Sequence, residues 1–97
     1  MDENNKQFLT FKGKPLVRSG NIIFYGSLSD PYVIMMQILD TIKFKDMEKA
    51  NNISIQLQLT DPDVPATDRI VKQAEKIGLF AAMDIADIWL ERAITQQ

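Results

Sequence analysis

From Ile53 to Thr60 apolar and polar residues alternate without a fault. Ile53, Ile55, Leu57 and Leu59 fall on one face and Ser54, Gln56, Gln58 and Thr60 on the other, which is the period of a strand with one buried face. Upstream, the short apolar runs FLTF, LVR and IIFYG are separated by Lys12-Gly13-Lys14-Pro15 and by Ser19-Gly20-Asn21. The second separator holds residues that tolerate positive φ, a signal for a tight hairpin, so this part predicts a small antiparallel meander. The run from Ser29 to Phe44 supports two readings. Asp30 followed by Pro31 suits the N-cap and first position of a helix. Against that, Tyr32, Ile34, Met36, Ile38, Ile42 and Phe44 lie on one face of a strand, with Asp40 as the interruption. The stretch is rich in β-branched and aromatic residues, so a strand is expected, with a bulge near Asp40, and residues 31–44 as helix remain the alternative. Residues 45–52 read as a turn, which would join this run to residues 53–60 in a long hairpin.

Two helices are expected after residue 69. Ile70, Val71, Ala74 and Ile77 recur at helical spacing, and Gly78 stands where a left-handed residue would end that helix. The second helix runs from Leu79 to about Ile94 and is apolar around most of its circumference, with Asp84, Asp87, Glu91 and Arg92 as its strongly polar positions. The architecture that follows is α+β: an antiparallel sheet of about five strands, a meander plus a long hairpin, followed by two C-terminal helices packed on one face. Residues 1–7 are polar and expected to be disordered, and residues 8–97 to form one domain.

Composition narrows the chemistry more than any motif does. The chain has no cysteine and no histidine, which excludes disulfides, Cys/His zinc sites, thiolate nucleophiles and imidazole acid-base catalysis. Eleven basic against 13 acidic residues give a net charge of −2, an unfavourable balance for neutralising phosphates, so nucleic acid is not the expected partner. Lys6, Lys12, Lys14 and Arg18 nevertheless gather on the first segments and leave a local basic patch. The N-terminus, MDENNKQF, lacks the basic and apolar regions of a signal peptide, and no apolar run approaches the roughly 20 residues that span a bilayer. A soluble, cytoplasmic protein without membrane association is the expectation.

The stretch TDPDVPATDR, residues 60–69, carries Asp61, Asp63 and Asp68, alternate carboxylates of the kind that open a calcium-binding loop. The template fails: position six is Ala66 rather than Gly, position twelve is Lys72 rather than Glu, and Pro65 occupies position five. A proline-stiffened crossover explains the same residues, with Thr67 or a neighbour capping the helix expected next and Asp68 opposing its dipole. Asp84, Asp87 and Glu91, at i, i+3 and i+7, can share a helix face, but the second ligand set that acid-base or metal chemistry requires is missing, so a solvated face is expected. Gly13-Lys14-Pro15 does not satisfy the phosphate-loop pattern. No catalytic residue, metal ligand or cofactor is assigned.

The segments GKPLVRSGNIIFYGSLSDPYV, QLQLTDPDV and DRIVKQAEKIGLFAAMDIADIWLERA resemble those of a small family of bacterial proteins from Clostridia and related Firmicutes that has no assigned activity. The resemblance covers about residues 11–94. It implies a one-domain protein of the bacterial cytoplasm and carries over no catalytic residue.

Three function classes remain. The first is a non-enzymatic binding or assembly module. The apolar surface of the last helix exceeds what one sheet-facing stripe requires, so it lies between the sheet and the first helix, or Phe80, Ile85, Ile88 and Trp89 form the interface of a homodimer or protein complex. The second is an enzyme or small-ligand binder using Asp, Glu, Tyr and Lys, with Tyr32, Asp61, Asp63, Asp84 and Asp87 as candidates. The third is an RNA-binding accessory protein working through Lys12, Lys14 and Arg18.

Overall fold

A computed structural model describes residues 6–95. Their order is β1 (Lys6–Phe11), β2 (Lys14–Ser19), β3 (Ile22–Tyr25), β4 (Tyr32–Ile38), β5 (Thr41–Phe44), β6 (Met47–Ala50), β7 (Asn52–Leu59), a single 3-10 turn (Ala66–Asp68), β8 (Ile70–Ile77) and α1 (Leu79–Thr95). Of residues 1–7, expected to be disordered, 1–5 lie outside the described residues, and Lys6 and Gln7 open β1. The architecture is α+β. Six strands form one antiparallel sheet in the order β1-β2-β3-β4-β7-β8, and β5 and β6 form a separate two-stranded ladder.

The meander follows from its turns. Lys12 and Gly13 at φ 51° and 82° link β1 to β2, and Gly20 at φ 63° links β2 to β3, the left-handed conformations that two-residue hairpins require. Residues 32–38 are a strand, and the long hairpin is present: Tyr32 pairs with Leu59 and Ile38 with Ile53. Where a bulge was expected near Asp40, the chain instead leaves the sheet. Asp40 accepts bonds from the Asn52 backbone N–H at 2.9 Å and from Asn52 Nδ2 at 3.0 Å. This clamps the neck of the β5–β6 hairpin, and residues 47–50, read as part of a turn, form its second strand.

The first of the two expected helices does not form. Residues 70–77 are strand β8, paired along most of their length with β7 from Asn52↔Ile77 to Gln58↔Ile70, with an irregularity at Leu57/Gln58. Backbone pairing with the best strand of the protein outweighs a helical period carried by four residues. Gly78 adopts the positive φ anticipated for it, 92°, but it turns the chain from strand into helix, with its N–H bonded to Asn51 O at 2.8 Å. Thr67 and Asp68, expected to cap and open that helix, lie in the 3-10 turn, which has no side-chain cap.

Opposite residues in an antiparallel pair share a face. Ile23 and Tyr25 of β3, Ile34, Met36 and Ile38 of β4, and Ile53, Ile55 and Leu57 of β7 therefore form one apolar surface, and all are buried. The helix covers it with Ala82, Met83, Ala86 and Leu90. Their spacing of three and four residues defines one stripe, and the alanines let the helix axis lie close to the sheet. A single helix cannot cover six strands, and both flanks of α1 are left as clefts.

Candidate functional site

On the β1–β2 flank, the C-terminal half of the helix is tied down by charge. Tyr25, fully buried, donates its hydroxyl to Asp87 Oδ1 at 2.8 Å, with Phe11 O as a second acceptor at 3.0 Å. Lys14 Nζ donates to Glu91 Oε2 and lies 3.5 Å from Asp87 Oδ1, and Lys12 Nζ lies 3.7 Å from Asp87 Oδ2. The Phe11 ring meets the Tyr25 ring edge-on at 5.8 Å and carries the Lys12 ammonium 5.5 Å from its centroid. Burial by itself would raise the Asp87 pKa, but the Tyr25 hydroxyl and the two lysines outweigh it and hold the carboxyl below the usual range. Burial, reinforced by Asp87, pushes the Tyr25 phenol up. The bond to Glu91 raises Lys14 despite its partial burial.

This constellation carries acid and base groups, but each is engaged by another. Asp87 meets three donors and Tyr25 is held in its neutral form, so the arrangement binds helix to sheet. It also revises the solvated acidic face: Asp87 and Glu91 grip Lys14, while Asp84 is exposed on the same helix. Lys12 and Lys14, the basic pair of the RNA reading, are engaged with carboxylates, and Arg18 is the member of that set with no ion pair among the described residues.

The other acidic candidates are not brought together. Asp61 and Asp63 are exposed on the loop between β7 and β8, where Asp61 Oδ1 accepts the Asp63 backbone N–H at 2.9 Å. Arg69 staples that loop through Val64 O at 2.7 Å and Pro62 O at 3.2 Å. Among the described residues no group of three or more Asp, Glu, His or Cys could hold a metal. Tyr32 lies on the opposite flank of the helix, beside Trp89.

The expected interface residues divide. Ile85 and Trp89 pack against the core, so much of the wide apolar surface is used inside the chain. Ile88 is 44% exposed and Phe80 84% exposed. Phe80 stands in the first turn of α1 at the rim of an apolar groove of about 230 Å³, floored by Ile23 and Met83 and walled by Leu9, Phe11, Leu16 and Leu79. Sequence reading missed the groove because its strand residues are scattered over β1, β2 and β3 and converge through pairing alone. Arg18 is its one charged lining residue among those described.

No helix among the described residues is long and apolar enough to cross a membrane. Compared with protein-family models, with curated proteins and with solved structures, the chain matches none of them.

Proposed function

We propose that this chain is a small non-enzymatic assembly module that works as a homodimer, with Phe80 as its anchor. The observation that carries the reading is an aromatic side chain 84% exposed at the edge of an apolar groove on its own surface. A knob beside a hole suits a two-fold interface, in which each copy's Phe80 enters the groove of the other and both contacts form at once. Buried aromatics are the usual energetic centres of such contacts, and burying one Phe contributes about 1.5–3 kcal/mol per site. Leu9, 56% exposed in the lining of the same groove, would be covered by the same event. The engagement of Asp87 and the dispersal of the other carboxylates favour this reading over an enzyme.

Sedimentation velocity from micromolar to several hundred micromolar tests it. A dimer is expected for the natural chain and a folded monomer for Phe80→Ser, while Ile88→Ser leaves the dimer intact. A natural chain that stays monomeric throughout, or a Phe80→Ser variant that still dimerises, would sink the proposal.

A further inference from the structure

We propose that the cleft between α1 and β8, on the flank opposite Phe80, binds a small organic anion: a flat ring bearing a carboxylate or a phosphate. The cleft measures about 550 Å³, within the range of about 300–1,000 Å³ usual for small-molecule sites. Its floor and walls are Leu57, Val71, Tyr32 and Trp89, and among the described residues its two charged lining residues are both cations, Lys72 and Arg92.

The charge pattern carries the argument. The protein is acidic overall, and after residue 50 its only basic side chains are Arg69, Lys72, Lys76 and Arg92. Arg69 is committed to its loop. Lys72 and Arg92 come from different elements and meet in one cleft that, among the described residues, no carboxylate lines. Neither forms an ion pair among the described residues. The Lys12–Lys14 cluster shows how this chain treats lysines that serve its own stability, namely by setting Asp87 and Glu91 against them. Lys72 is positioned by an aromatic instead, its ammonium 5.7 Å from the centre of the Trp89 ring, which orders the cation without neutralising it.

An anionic head accepts hydrogen bonds from Lys72 and Arg92, the guanidinium offering a fork that suits either a carboxylate or a phosphate. The body of the ligand then lies on Tyr32, Leu57 and Val71. Tyr32 is half-buried, with no hydrogen bond to its hydroxyl among the described residues, so it offers a ring face and a free polar edge. Sequence patterning hid the site, because Lys72 and Arg92 each read as ordinary solvated positions 20 residues apart.

Trp89 is the only tryptophan, so its indole N–H is a single resolved reporter in a nitrogen-15 spectrum of the full chain. The probes are 1-naphthoate and adenosine 5′-monophosphate, with neutral 1-naphthalenemethanol and inorganic phosphate as controls. At least one ring-bearing anion is expected to shift the indole signal saturably at millimolar concentration or below, with affinity falling as salt is added. Naphthoate binding alone assigns a carboxylate head and nucleotide binding alone a phosphate head. Lys72→Gln and Arg92→Gln, which lie on exposed positions and keep the natural spectrum elsewhere, each weaken binding about tenfold, the loss of one charge-assisted hydrogen bond. The proposal is overturned if neither anion shifts the signal, if the neutral naphthalene or phosphate alone binds as well as the ring-bearing anions, or if both variants bind unchanged. Phe80→Ser keeps the site, so failure of the dimer and failure of the cleft are read separately.

Discussion

The Tyr25 hydroxyl lies 2.8 Å from Asp87 Oδ1 and joins the third strand to a helix residue 62 positions later in the chain. A hydrogen bond to an ionised group contributes about 1.5–3 kcal/mol. Tyr25→Phe is therefore expected to lower the unfolding free energy by about 1–2 kcal/mol in urea titration, with the transition slope unchanged. Asp87→Ala costs more, about 2–3 kcal/mol, because it also leaves Lys14 without one of its two carboxylates. Lys12→Ala, which removes a 3.7 Å contact made by a largely exposed lysine, costs under about 1 kcal/mol.

The same residues fix the direction of the pH response. Asp87 has a folded-state pKa below its unfolded value of about 3.9, so its contribution is complete above that value and is lost as pH falls through the folded pKa. Tyr25 and Lys14 are shifted upward. The unfolded chain gives up those protons first, and stability declines once pH passes about 10. Urea midpoints measured on both limbs are expected to show a shallower acid slope and a shallower alkaline slope in Asp87→Asn than in the natural chain.

Gly26 marks a close approach of backbone to helix. Its φ is 113°, and a methyl group there would lie 2.9 Å from Leu90 Cδ2, a side chain that is itself fully buried. Gly26→Ala is expected to destabilise by about 1–3 kcal/mol through backbone strain and crowding. Gly13→Ala isolates the backbone part, since nothing lies within 4 Å of a methyl at that position. Thermal denaturation of the two variants should place Gly26→Ala clearly lower.

The aspartates after β7 are expected to answer to the backbone and not to metal. Asp61→Asn keeps the acceptor for the Asp63 N–H and leaves the melting temperature nearly unchanged, whereas Asp61→Ala lowers stability by about 1 kcal/mol. Millimolar Ca²⁺ or Mg²⁺ gives no shift in melting temperature for any of the three chains. A saturable calcium-dependent rise would restore the cation reading of this loop.

What the sequence made legible follows burial. Strand β7 could be read because it lies in the interior of the sheet and every second side chain is pressed against the helix. Strand β8 could not, because it is an edge: Ala74 is its one position that is less than exposed, so Ile70, Val71 and Ile77 were not placed by a buried face and their helical spacing carries no information. The surplus apolar surface of α1 was visible, but its division between core and solvent was not. Ile85 and Trp89 go inward and Phe80 outward because the helix sits over β4, β7 and β8. The grip of Asp87 and Glu91 on Lys14 was illegible for a related reason, since it depends on the β1–β2 hairpin reaching across to the helix.

Placing the covering helix after the last strand has a consequence for biosynthesis. Chain elongation delivers all six strands of the main sheet before the 17 residues of α1. Until α1 docks, Ile34, Met36, Ile53 and Ile55, fully buried in the finished fold, have no cover from their own chain, and transiently exposed apolar surface of this kind is what makes a folding chain prone to aggregate.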